Sequence, residues 1–277
     1  MAGIAGARGI VEQIVTCRSS DGTTIACHRS GRGPELVVVH GTSGDHTSWS
    51  GVTALLSTHF TISAMDRRGR GASGDSVDYA LEREIEDVVT VVQSLGVGVH
   101  LAGHSFGGAC AAEAATRLGG LASLILYEGG PRPPGSRFIP DDLVLGLERS
   151  IAEGHREKAL ETFALSVAGL SPAELEALKR GPTWQTRVAA VHTIPRELRA
   201  LNDYGTNMEK FQSLTVPTLL LFGGASMPRR RQWMETLAGL IPNAQAVELQ
   251  GQGHAANQTA PHLLAAAIDS FISGLQK

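Results

Sequence analysis

Ser105 lies in Gly103-His104-Ser105-Phe106-Gly107, a spacing that can turn a serine into a nucleophile. A serine on a tight turn between a strand and a helix is held in strained backbone geometry, and bulky neighbours two residues to either side would collide there. Gly103 and Gly107 remove those collisions. The helix that follows would aim its first amides and the positive end of its dipole at the space beside Ser105, where an oxyanion would form. The flanks agree with a strand-turn-helix. Val97 and Val99 alternate into Leu101, and residues 109–115 after the turn are helix-forming and small enough to pack on a sheet. The alternative for such a run is a glycine-rich turn with a structural role only.

Serine is a poor nucleophile at neutral pH, so Ser105 needs a base, and the base needs an orienting group. Of the ten histidines, His254 is the candidate base, because Gly251-Gln252-Gly253-His254 reads as a loop between the last strand and the last helix. The competing reading is a solvated loop histidine. His28, His59 and His100 flank expected strands, and His155, His192 and His262 read as helix-surface residues. A second turn, His40-Gly41-Thr42-Ser43-Gly44, can bring backbone close to a ligand because Gly41 and Gly44 lack side chains. The Thr42 and Phe106 amides are its candidate oxyanion donors. A phosphate loop is the rival, but no Gly-Lys-Ser/Thr follows this turn and the turn itself does not read G-x-G-x-x-G.

The elements that would carry these residues alternate. Residues 10–17 and 23–28 predict a hairpin around Ser19-Ser20-Asp21-Gly22. Residues 36–39 and 60–65 form apolar runs of the kind buried on both faces of a parallel sheet. Residues 81–95 have helical spacing, 97–101 lead into the serine turn, and 121–127 predict another buried strand. This β-α rhythm predicts a parallel sheet wrapped by helices. It breaks at the glycine- and proline-rich residues 129–135, after which residues 131–214 read as a helical insertion with helices at 141–154, 155–168, 172–180 and 187–201. The sheet pattern resumes with a strand at 218–222, a helix at 231–240, a strand at 246–249 and a helix at 260–275.

With 42% hydrophobic and 18% charged residues over 277 positions, the chain suits one large α/β core rather than a disordered segment. A net charge of −3 gives no reason to expect nucleic acid or an anionic membrane as partner. Cys17, Cys27 and Cys110 make an odd count without metal-type or redox-type spacing, which fits a reducing cytoplasm. Residues 1–14 show no secretory pattern, and no segment approaches the roughly 20 apolar residues of a membrane span. No pair of His, Cys or carboxylate residues has metal-ligand spacing, so neither metal nor cofactor is expected.

Taken together, His40-Gly41 after an apolar strand, Trp49 shortly after it, residues 66–73 (Asp-Arg-Arg-Gly-Arg-Gly-Ala-Ser), the Ser105 turn and His254 resemble the α/β-hydrolase superfamily over essentially the whole chain. The resemblance implies an α/β fold with an eight-stranded, mostly parallel sheet, helices on both faces and a helical cap after the sixth strand. The core would be residues 1–130 and 215–277, and the cap residues 131–214. It also implies that Asp66 and Arg67 belong to a structural loop beside the site.

The departure lies in the acid. In this superfamily the carboxylate that orients the histidine usually follows the seventh strand, but Gly223-Gly224-Ala225-Ser226-Met227-Pro228 holds no Asp or Glu. An imidazole without that acceptor loses tautomer control, which costs template enzymes on the order of 10⁴ in rate. Glu128, after the sixth strand, is the candidate substitute, since some relatives supply their acid from there; otherwise it contacts substrate or anchors a loop. Asp203 is a weaker candidate that reads better as a surface residue. Arg229-Arg230-Arg231 reads as a solvated basic face, with an anion-holding role as the alternative. The expected protein is a cofactor-independent serine hydrolase acting on an apolar or acyl small molecule that is an ester, thioester or lactone. A non-hydrolytic cyclase, lyase or C–C bond enzyme is the first rival, motivated by the missing acid. A ligand-binding protein with a relict serine turn is the second.

Overall fold

The computed structural model describes residues 12–132 and 139–276. Its eight strands are β1 (Gln13–Arg18), β2 (Thr24–Gly31), β3 (Glu35–Val39), β4 (Thr61–Asp66), β5 (His100–His104), β6 (Ser123–Tyr127), β7 (Thr218–Gly223) and β8 (Ala244–Leu249). They form one sheet in the order β1-β2-β4-β3-β5-β6-β7-β8. The β1/β2 and β2/β4 pairs are antiparallel and all later pairs are parallel. The strand alternation explains the layers. Val37 and Val39 of β3 face one cluster, with Ile85, Val88, Cys110 and Met234, while Leu36 and Val38 face another, with Val52, Leu56, Leu264 and Ile268. A strand apolar on both faces thus has helices on both.

The helices in chain order are α1 (Ser50–Leu56), α2 (Leu81–Leu95), α3 (Phe106–Ala115), α4 (Asp141–Ala152), α5 (Arg156–Phe163), α6 (Pro172–Arg180), α7 (Trp184–Ala190), α8 (Ile194–Asp203), α9 (Pro228–Leu240), the single turn α10 (Ala256–Thr259) and α11 (Pro261–Gly274). Helix α3 is rich in alanine and glycine, and all ten of its residues are buried. Small side chains let it lie close behind β5, which holds the serine turn rigidly. Helices α4 to α8 lie between β6 and β7 in sequence and pack around a core of their own, including Val144, Leu160, Phe163, Trp184 and Leu198.

Several expected boundaries move, each for a local reason. The expected strand at 97–101 is β5 at His100–His104, because Gly96 (φ 93°) and Gly98 (φ 77°) hold a left-handed turn that leaves Val97 exposed. The expected helix at 187–201 is two helices joined by a 3₁₀ turn at Val191–Thr193, where Pro195 can donate no amide to a continuous ladder. The expected helix at 155–168 ends at Phe163 and continues as a π turn, Ala164–Ala168. Parts of three expectations lie outside the described residues: the reading of residues 1–14, the first residues of the hairpin and residues 133–135 of the break. Among the described residues no helix is long and apolar enough to cross a membrane.

Candidate active site

Ser105 stands between the last residue of β5 and the first of α3 with φ 54° and ψ −119°, a conformation L-residues rarely adopt. Glycine is required at both flanks. A Cβ on Gly103 would stand 2.5 Å from the Gly107 carbonyl oxygen, and one on Gly107 would stand 2.4 Å from that of His40. Among the described residues, three non-glycines have positive φ: Ser43 (67°), Ser105 and Glu128 (44°). All three belong to the loops after β3, β5 and β6, so backbone strain is gathered at the carboxyl ends of neighbouring parallel strands.

These ends bring the sequence candidates together. His254 Nε2 lies 3.1 Å from Ser105 Oγ, and His254 Nδ1 lies 2.7 Å from Glu128 Oε2. A carboxylate can only accept, so Nδ1 carries the proton and Nε2 is left to accept from the serine hydroxyl. The other Glu128 oxygen accepts from the Gly223 amide at 2.7 Å, at the end of β7. Glu128 and His254 are 3% and 7% exposed. Burial and the positive charge of Arg230 hold the His254 imidazole well below its ordinary protonation range, so it rests neutral.

Residues not singled out from the sequence fix the histidine. His104 Nε2 donates to the His254 carbonyl oxygen at 2.9 Å, and the two rings lie 4.6 Å apart. The Tyr127 hydroxyl donates to the Gly253 carbonyl and accepts from the Ala256 amide at 3.3 Å. The loop after β8 is therefore pinned from β5 and β6. Only His104, inside the Ser105 motif itself, had a sequence signal; its partner lies 150 residues away. Arg230 corrects the reading of 229–231 as a solvated face: it is buried, donates to the Val167 and Ala168 carbonyls, and its Nε lies 3.6 Å from Glu128 Oε2. Arg231 does lie on the surface, paired with Glu235 and Glu248.

The loop after β3 runs beside Ser105, where a Cβ on Gly41 would stand 3.0 Å from the Ser105 Cβ. Buried His40 shapes it, donating through Nδ1 to the Gly41 carbonyl and accepting the Arg67 amide at Nε2. Thr42 follows Gly41 and lines the cavity. Phe106 is the first residue of α3, and its amide lies at that helix's N-terminus. Asp66 accepts from the His46 and Ala72 amides, and Arg67 forks onto Glu84. Both residues make contacts that support the loop after β4. Asp203 is exposed and lines a separate groove with Tyr79 and Arg196.

Above these loops lies a cavity of about 490 Å³. Ser105, His254 and Thr42 line it on the sheet side, and Leu160, Phe163, Val167, Glu174 and Arg187 are among the residues of the inserted segment that line it. Elsewhere, Glu12, His28 and His46 bring one ligand-type atom each within 4.8 Å of one another. Spacing could not disclose that group, because its members come from three segments. Both imidazoles there already bond Asp66, and their rings stack 3.3 Å apart.

Residues 36–267 match the family model described as Alpha/beta hydrolase family. A solved alpha/beta hydrolase from Sphaerobacter thermophilus is 34% identical, with a TM-score of 0.80 over 93% of this chain and 99% of that one. N-formylmaleamate deformylase of Pseudomonas putida is 25% identical over 81% of this chain and 83% of its own length. The 2-(acetamidomethylene)succinate hydrolase of Mesorhizobium japonicum is 23% identical over 90% and 91%.

Proposed function

The chain belongs to the alpha/beta hydrolase family, and from that premise we propose that it is a serine hydrolase of small esters, thioesters or lactones. The observation that carries the reading is the continuous line Ser105 Oγ, His254 Nε2, His254 Nδ1, Glu128 Oε2, with steps of 3.1 and 2.7 Å. Relatives named as a deformylase and a hydrolase support hydrolysis of small molecules at the coarser level.

In this mechanism His254 Nε2 takes the Ser105 proton as Oγ attacks the acyl carbon. The carbonyl electron pair moves to oxygen and is held by the Thr42 and Phe106 amides. His254 then gives its proton to the departing alkoxide or thiolate, leaving an acyl-Ser105 ester. Water, deprotonated by the same nitrogen, attacks that ester and releases the acid. Glu128 keeps the imidazole in the required tautomer and offsets the positive charge it gains at each transfer. The non-hydrolytic rival is motivated by the acid missing after β7, and the Glu128 contact with His254 supports the hydrolytic reading instead. A relict, non-catalytic serine turn is disfavoured by the strain retained at Ser105 and Glu128. Helices α4 to α8 act in this reading as the cap that admits substrate and excludes bulk water.

Intact-mass measurement after mixing with 4-nitrophenyl acetate tests the reading. The expected result is a transient 42-dalton acetyl adduct that maps to Ser105. Turnover with no adduct under rapid quench, or an adduct on another residue, would discard it.

A further inference from the structure

Arg187 is the buried cation for which the reaction above has no use. It comes from α7, is 6% exposed and lines the same cavity as Ser105 and His254. Its guanidinium donates to Ser43 Oγ and Ser48 Oγ at 3.0 Å each, to Gln258 Oε1 at 3.2 Å and to Thr183 Oγ1 at 3.4 Å. All four acceptors are neutral. The other four arginines that are buried among the described residues each face a carboxylate: Arg67 with Glu84, Arg68 with Asp87, Arg70 with Glu197 and Arg230 with Glu128. For Arg187 no carboxylate among the described residues stands within ion-pair distance.

A buried charge without a counter-ion is costly, so its retention calls for a partner from outside. Glu174 also lines the cavity, but the Ser171 amide and hydroxyl engage its carboxylate. Asp45 pulls the guanidinium toward the charged form from a distance, yet its own carboxylate caps the turn at Thr47. Burial, aided by Arg70, still pushes Arg187 down to about 10, which leaves it cationic at neutral pH.

We propose that Arg187 recognises a carboxylate on the substrate, so that the site takes short acyl compounds carrying a free acid near the scissile carbonyl. This deepens the hydrolase reading and rests on it. The donors are already assembled. Ser43 and Ser48 accept from Arg187 and keep their own hydroxyl protons to give, and Nη1 retains one N–H, so a carboxylate meets three donors beside a positive charge. Ser43 is one of the three non-glycine residues at the site with positive φ. It also directly follows Thr42, whose Cα is about 3.8 Å away, so an anion on Arg187 lies close to the oxyanion donors. Leu160, Phe163 and Val167 give the cavity apolar walls, and Arg132 and Arg230 line it as well, Arg230 beside Glu128.

The test compares half methyl esters of succinate, glutarate and adipate with the methyl esters of butanoate, pentanoate and hexanoate. The intact enzyme should prefer the acid ester at one chain length. Arg187→Met should lower that acid-to-neutral ratio of kcat/KM by about 10- to 100-fold, mainly through KM. Arg187→Lys, which keeps the charge, should retain part of the preference even where the Met variant folds poorly. Equal loss on both ester series would assign Arg187 a structural role and overturn the proposal, as would a wild-type preference for the neutral esters. A second readout separates the two readings: the melting temperature of the Ser105→Ala protein with free glutarate, succinate or inorganic phosphate. A rise with a dicarboxylate that Arg187→Met abolishes upholds the anion site even if no ester is hydrolysed. A rise with phosphate alone overturns the carboxylate.

Discussion

Glu128 Oε2 lies 2.7 Å from His254 Nδ1 across 126 residues of chain, and it gets there from the end of β6. Its second oxygen holds the Gly223 amide, so the acid is braced against the loop after β7 that carries no carboxylate of its own. Strands β6 and β7 are neighbours in the sheet, which is why an acid at either end can serve one histidine.

Replacing Glu128 by Gln is expected to lower kcat by roughly 10²–10⁴ with little change in KM, because an amide can present its donor and favour the wrong imidazole tautomer. Single-turnover kinetics on one activated ester decides it. In the Glu128→Gln background, Ala225→Asp or Ser226→Asp should recover part of the loss, since the Ala225 amide bonds Gln252, two residues before His254. Near-normal rates in Glu128→Gln would remove Glu128 from the mechanism.

Ser105→Ala should abolish both ester turnover and labelling by a fluorophosphonate probe while the melting temperature stays within a few degrees. The hydroxyl sits at a turn facing the cavity and fills no core volume, so its loss leaves no buried void. Full labelling of the mutant would point to a different nucleophile.

Local chemistry made much of this site legible. Gly103 and Gly107 announce the turn because only glycine fits those close approaches, and His254 stands out through the glycines around it. Glu128 came from resemblance, not from spacing, since nothing local tells a carboxylate that orients a base from one that anchors a loop. Arg230 was hidden because three successive residues on a helix point about 100° apart, and the sequence does not say which one turns inward. The Arg187 contacts were equally hidden. They join α7 to Ser43 and Ser48 across 144 and 139 residues, a relation set by how the inserted helices pack.

The pH profile of kcat/KM follows from the neutral resting state of His254. A base is active only when unprotonated, so activity is lost as pH falls through its pKa. Burial and Arg230 depress that pKa below the usual 6.5, hence kcat/KM should stay level through pH 6.5 and fall only at more acidic values. Arg230→Met removes a positive charge near the imidazole and should move the acid limb to higher pH. An acid limb that stays put or moves down in that variant would show that Arg230 does not set the titration.

Stability should respond to acid through the same chemistry at the buried histidines; burial lowers the pKa of His100, and three others are shifted further. His40, His104 and His254 are all buried, and desolvation holds each well below its ordinary pKa in the folded chain. The unfolded chain protonates near 6.5 while the fold does not, so the unfolded state binds more protons below that pH. Their contribution is therefore fully present above pH 6.5 and is lost as pH falls toward the folded pKa values, at up to about 1.4 kcal/mol per pH unit for each histidine. Urea denaturation between pH 7 and 5 measures this slope. His104→Phe should reduce it by about one histidine's share, although the variant loses the donor to the His254 carbonyl and starts less stable at pH 7. A slope in His104→Phe equal to that of the intact protein would mean that His104 takes up its proton in the folded state as readily as in the unfolded one.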